Sequence, residues 1–144
     1  MRFSLLILFF LIFHSGYSQN YNVKSGTCYR VNISGCYFYA LPVTYAQNNP
    51  DTSYTISFGD VFKLSKFLEA HSKYKAPIKG NPANTLDIRT VFVFYDKTNT
   101  KHVIGFSSFG DYEFDGICYR NNEQLAPFIN ALKVTSNIAL ANQS

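Results

Sequence analysis

Alternating carboxylates mark one short stretch of the chain as a candidate metal-binding segment. Asp111, Glu113 and Asp115 occupy every second position, and Gly116 follows them. A calcium loop begins with the same spacing of oxygen ligands and has a glycine at its sixth position. Its twelfth position is normally a glutamate, but here it is Asn122. We therefore expect a strand with its three carboxylates facing solvent and no cofactor, and calcium bound by these three residues is the alternative.

A cysteine with a nearby histidine is the second arrangement that could do chemistry. Cys118 and His102 fall on strands of one predicted meander, and a thiolate with an adjacent base is a nucleophile. His71, on the predicted inner face of the first helix, is another candidate base. No signature of a cysteine-enzyme family surrounds any of the cysteines, and structural roles explain the same residues. The sequence therefore favours a protein without catalysis.

Three cysteines, Cys28, Cys36 and Cys118, predict one disulfide and one remaining thiol in an oxidising compartment. The pentapeptide at 26–30, Gly-Thr-Cys-Tyr-Arg, recurs with one change at 116–120 as Gly-Ile-Cys-Tyr-Arg. Two strands of matching sequence would suit a bonded pair. We therefore predict a Cys28–Cys118 disulfide, with Cys36 as the alternative partner.

The hydrophobic pattern predicts the strands that would position these residues. Val91–Tyr95 is apolar at every position, which indicates a strand covered on both faces. Residues 102–106 and 112–119 follow it as the next strands of an antiparallel meander. The earlier strands are predicted at 28–32, 36–43 and 53–58.

Two helices complete the predicted fold. Apolar residues recur at helical spacing from Val61 to His71, and Asp60 is placed to cap this helix. Asn121 and Gln124 fit a capping box before a second apolar stripe at 125–132. Runs of strands that are each followed by a helix predict an α+β fold. We expect a mostly antiparallel sheet of about five to six strands with both helices packed on one face.

The N-terminus has the pattern of a secretory signal peptide. A basic residue precedes the apolar run Leu5–Phe13, and Gly16 and Ser18 are the small residues of a cleavage site. As a helix, the run is about 14 Å long, which is too short for a hydrocarbon core of about 30 Å. We predict a signal peptide at 1–18, a single domain at 19–144 with frayed ends, and no stable membrane anchor. The mature protein is expected to be secreted or periplasmic.

The net charge of +4 is mild, although lysines cluster after residue 60. These are Lys63, Lys66, Lys73, Lys75 and Lys79. No recognised nucleic-acid motif accompanies them, so we interpret them as a solvated helix face and expect no nucleic-acid partner. The long segment Lys73–Thr90 and exposed tyrosines are the predicted contact surface.

We expect an exported binding protein of an inhibitor, immunity or accessory type. Its partner is an unidentified protein or small ligand, and the sequence does not define its oligomeric state. One alternative is a small secreted enzyme that uses Cys118 with His102, or a carboxylate pair. The second is a calcium-dependent module.

The mass of the exported protein tests the N-terminal prediction. We expect intact mass spectrometry to give a chain that begins at Gln19, because Ser18 ends the cleavage site. A Leu8→Arg substitution interrupts the apolar run and should prevent export, leaving the uncleaved mass inside the cell. An uncleaved mass on the exported, unsubstituted protein would contradict the prediction.

Overall fold

The structure is a computed structural model that describes residues 22–31, 40–79 and 86–141, with side chains up to residue 133. The predicted signal peptide and Cys36 lie outside these residues. The elements in chain order are β1 (Val23–Arg30), α1 (Val43–Asn48), β2 (Thr52–Thr55), α2 (Phe58–Tyr74), β3 (Ile88–Asp96), β4 (Lys101–Ser107), β5 (Tyr112–Phe114), β6 (Ile117–Tyr119) and α3 (Ala126–Ala141).

One six-stranded sheet organises the described residues, in the order β2-β1-β3-β4-β5-β6. Every pair of neighbouring strands is antiparallel. This confirms the predicted α+β fold and the predicted hairpin of β3 with β4. β1 lies between β2 and β3, so the N-terminal strand is inside the sheet and not at its edge.

Both faces of the sheet are covered. On one face, α2 and α3 pack on a main core that includes Phe67, Phe92, Phe94, Phe106, Leu125 and Ile129. On the other face, α1 packs on a second core that includes Val31, Val43, Ala46, Ile88, Val91 and Cys118. The prediction of two helices on one face is therefore right for α2 and α3, and α1 adds cover to the opposite face.

The predicted strand at 36–43 is wrong at its end, because Val43 begins the helix α1. Pro42 precedes it in an extended conformation, and Val43 and Ala46 bury one side of the helix. Residues 36–39 lie outside the described residues. A short apolar run has the same composition in a buried helix as in a buried strand, so periodicity does not distinguish the two.

The predicted strand 112–119 is divided into β5 and β6 by a tight turn at Asp115 and Gly116. Both turn residues have positive φ, +47° and +83°. The type I′ two-residue hairpin turn requires positive φ at both positions, and Asp-Gly is a preferred sequence for it. The glycine that resembles the sixth residue of a calcium loop therefore has a backbone role.

The start of α2 also differs from the prediction. Ser57 caps the helix and Asp60 is its third residue, so α2 begins about one turn earlier than predicted. The Ser57 hydroxyl accepts from the Asp60 N–H, while an Asp60 carboxylate oxygen accepts from the Ser57 N–H at 2.9 Å. This is a reciprocal capping box, which satisfies two backbone donors of the first turn.

The segment after α2 has two parts. Residues 76–78 lie along the outer edge of β6, where the Ile78 N–H donates to the Cys118 carbonyl and the Arg120 N–H donates to that of Ala76. These bonds occupy backbone groups that an edge strand would otherwise present to solvent. Residues 80–85, in the middle of the predicted contact loop, lie outside the described residues.

Gly26 on β1 has no room for a side chain. A Cβ atom at this position would lie 2.5 Å from the Val93 carbonyl oxygen and 3.0 Å from the Ile56 side chain. Gly59 in the first turn of α2 is the opposite case, since the nearest atom to its Cβ would be 3.6 Å away.

These two glycines predict opposite effects of one substitution. Gly26→Ala should lower the free energy of unfolding by at least about 2 kcal/mol, because the backbone of β3 must move. Gly59→Ala should leave it unchanged or raise it by up to about 1 kcal/mol, because alanine favours helix. Urea denaturation of both variants measures the difference. Equal effects of the two substitutions would contradict the packing of β1 on β3.

Candidate functional site

The three predicted calcium ligands, Asp111, Glu113 and Asp115, have different surroundings in the structure. An Asp111 carboxylate oxygen accepts from the Asn121 N–H at 2.8 Å. Glu113 lies in the middle of β5, where burial raises the pKa of its carboxyl. An Asp115 carboxylate oxygen accepts from the Val103 N–H at 2.8 Å. Among the described residues, no group of three or more His, Cys, Asp or Glu is arranged to hold a metal ion.

The buried side chains between the carboxylates agree with the strand alternative. Tyr112 and Phe114 alternate with the acidic residues and both belong to the main core. The alternation of side-chain direction along an extended strand therefore explains the spacing that resembled a calcium loop.

His102 lies between two carboxylates that come from different hairpin turns. Its Nδ1 is 2.7 Å from an Asp115 oxygen, and its Nε2 is 3.6 Å from an Asp96 oxygen. The imidazole stacks on Phe94, with ring centroids 5.3 Å apart. Hydrogen bonds lower the pKa of the Asp96 carboxyl, and the bond from the Thr98 hydroxyl has the largest effect. His102 therefore joins the β3–β4 turn to the β5–β6 turn.

The structure does not bring Cys118 and His102 together. Cys118 belongs to the second core, whereas His102 packs against Phe94 and Phe114 on the α2 and α3 side of the sheet. Burial, with a smaller effect of the Glu113 charge, raises the pKa of the Cys118 thiol. A raised pKa disfavours the thiolate that nucleophilic chemistry needs. The sheet itself separates the proposed nucleophile from its base.

The predicted Cys28–Cys118 disulfide is wrong. Both residues are buried free thiols. Cys28 is on β1 and Cys118 is on β6, with three strands between them. Four strand spacings of about 4.8 Å place them about 19 Å apart, far beyond the reach of a disulfide. Cys28 also faces the main core, where burial raises the pKa of its thiol to about 12.

His71 is a buried, neutral histidine in the main core. Its Nδ1 is 2.8 Å from the Tyr112 hydroxyl, and its ring meets those of Phe67, Phe114 and Tyr119. Burial lowers the pKa of His71 to about 4, and the nearby Lys75 charge adds to the effect. This position makes His71 a packing residue, as the helical pattern of α2 predicts.

Two phenylalanines on the solvent side of α2 form a surface that the sequence analysis did not identify. Phe58 is 87% exposed and Phe62 is 59% exposed. They are four residues apart, so they lie one above the other on the helix. The predicted helix began at Val61, which left Phe58 in a strand, so this i, i+4 pair was missed. A helical projection that started from Ser57 would have shown it.

Charged residues continue the same side of α2. The Lys66 ammonium lies 5.9 Å from the centre of the Phe62 ring. Glu69 lies between Lys66 and Lys73, with N–O distances of 3.3 and 3.6 Å. The hydrogen bond from Lys66 is the first cause of the lowered pKa of Glu69. We call Phe58, Phe62, Lys66, Glu69 and Lys73 the outward α2 face.

Comparison with protein-family models, with curated proteins and with solved structures gave no match. Within the described residues, no helix combines the length and the apolar character needed to cross a membrane.

The buried His71 makes the stability of the protein pH-dependent. In the unfolded chain the His71 imidazole binds a proton near pH 6.5, but in the folded chain it does so only near pH 4. The unfolded state therefore holds more protons between these values, so stability is complete above pH 6.5 and falls as the pH drops. We expect a loss of about 3 kcal/mol across this window.

Urea denaturation at several pH values measures this loss, with His71→Asn as the control. The variant should show a smaller loss between pH 6.5 and 4, because it lacks the titrating group. An NMR titration of the His71 imidazole gives an independent reading, and a pKa near 6.5 would contradict its burial.

Proposed function

We propose that this chain is an exported, non-catalytic binding protein and that the outward α2 face is its contact surface. The observation that carries the proposal is the exposure of Phe58 and Phe62, one helical turn apart. The inner side of the same helix buries Leu64, Phe67 and Leu68 in the main core. Packing of the fold therefore accounts for the inner side of α2 but not for two aromatic rings on its outer side.

Exposed aromatic pairs favour binding over other roles. A single exposed apolar side chain is ordinary on a protein surface, whereas adjacent ones are typical of interaction sites. Phenylalanine has few rotatable bonds, so a partner gains a large contact area with little loss of conformational entropy. The side chains of Lys66, Glu69 and Lys73 add charge beside this apolar part.

The separation of Cys118 from His102 also supports a binding role over the enzymatic alternative. A Cys–His mechanism needs the two side chains within hydrogen-bond reach. Here they face opposite sides of the sheet. The proposal places the contact surface on α2, which shares Lys73 with the predicted contact segment Lys73–Thr90.

A double substitution tests the proposed contact surface. Phe58→Ser with Phe62→Ser should remove association with material from the compartment to which the protein is exported, measured by co-fractionation with soluble complexes and with membranes. The free energy of unfolding should change by no more than about 0.5 kcal/mol per site, because both rings are exposed.

Phe109 provides the matched control for this experiment. It is 89% exposed, but it lies in the turn between β4 and β5. Phe109→Ser removes the same ring elsewhere and should preserve the association. Full association of the Phe58/Phe62 double variant would overturn the proposal.

A further inference from the structure

We infer that the outward α2 face binds the surface of an anionic lipid bilayer. This inference rests on the proposed function, since it names the partner of the same surface. It follows from the alignment of the five side chains along one side of the helix, the projecting phenylalanines and the excess of lysines.

The geometry of α2 lets all five side chains meet one plane. At 100° per residue, Phe58, Phe62, Lys66, Glu69 and Lys73 fall within an arc of about 80°. The distance along the helix from Phe58 to Lys73 is about 22 Å. A helix that lies parallel to a bilayer surface would present the whole face to it at once.

The two ends of this face have different chemistry. Phe58 and Phe62 project at the N-terminal end, where phenylalanine can enter the boundary between headgroups and acyl chains. The lysines follow toward the C-terminal end, within reach of headgroup phosphates. The Lys66 ammonium beside the Phe62 ring places a cation at the junction of the two parts.

The charge of α2 and the segment after it is complementary to anionic lipid. Between residues 58 and 79 the acidic residues are Asp60 and Glu69. Asp60 is buried in the capping box, so Glu69 is the acidic residue that α2 exposes. Five lysines lie in the same stretch. Each lysine that lies near an anionic membrane surface strengthens the attraction by about the same amount.

The ion pairs that Lys66 and Lys73 form with Glu69 do not prevent these lysines from binding lipid phosphate groups instead. The side chains of Lys66, Lys73 and Glu69 are each more than half exposed. Exposed pairs of this kind contribute little to stability, so lysines can leave Glu69 for phosphate groups at small cost.

A bilayer suits this surface better than a protein partner does. Two phenylalanines supply at most about 500 Å² of apolar area, compared with about 800 Å² on each side of a stable protein interface. The outer side of a helix is also convex, so a protein partner would need a matching groove. A bilayer needs no such groove, and modest apolar insertion combined with basic charge is sufficient for membrane attachment.

Vesicle co-sedimentation tests the inference directly. We expect the protein to sediment with vesicles of phosphatidylcholine and phosphatidylglycerol at low ionic strength, and not with phosphatidylcholine alone. Phe58→Ser with Phe62→Ser should lower the partition coefficient at least about tenfold. Phe109→Ser should leave it unchanged. All variants are compared in one N-terminal form, verified by intact mass, because the apolar run Leu5–Phe13 would itself enter a bilayer.

Charge variants on the same helix provide a second, opposite-signed test. Glu69→Gln removes the acidic side chain and should raise the partition coefficient about fivefold. Lys66→Gln with Lys73→Gln should lower it at least tenfold. Added salt should weaken binding of the unsubstituted protein, because it screens exposed charges.

The outcomes separate this inference from the proposed function. No sedimentation with the anionic vesicles, or sedimentation that the Phe58/Phe62 double variant retains, would overturn the inference. If that double variant still loses its association with soluble complexes, the binding function stands with a protein partner. If it loses neither association, both the inference and the proposed function are overturned.

Discussion

Burial of β3 on both faces is the constraint on which the rest of the structure depends. Val91, Phe92 and Phe94 are fully buried, with alternate residues in the second core and the main core. A strand of this kind is stable only if other elements cover both faces and if neighbouring strands satisfy its backbone. β1 and β4 provide the backbone partners, while α2 and α3 cover one face and α1 covers the other.

The two covered faces decide what the reactive side chains can do. Successive residues of a strand point to opposite sides, so parity along β4 and β6 puts His102 and Cys118 on different faces. On one face Cys118 packs in the second core. On the other face His102 joins two turns through Asp96 and Asp115. Within the described residues, Cys118, His102, Asp111 and Asp115 take part in packing, turns or hydrogen bonds.

The helix α2 links the fold to the proposed binding surface. Its inner side carries the apolar stripe that completes the main core, and the Ser57–Asp60 capping box sets where it begins. Starting the helix at Phe58 aligns this residue with Phe62 on the outer side. A start at Val61 would leave Phe58 out of the helix and the aromatic pair would not exist. A local capping interaction thus determines the geometry of a surface that the core does not require.

The sequence by itself determined the α+β class, the apolar central strand, the β3–β4 hairpin and the inner stripe of α2, because each depends on periodicity or turn chemistry within a short segment. The tertiary structure decided that β1 pairs with β3, which places Cys28 far from Cys118. It also decided that Val43 begins a helix, since an apolar run takes its conformation from the surface it covers. Strand order and face are long-range properties that no local pattern contains. The disulfide and the Cys–His pair therefore could not be judged from spacing, whereas the Asp115-Gly116 turn and the Phe58–Phe62 pair had local signals.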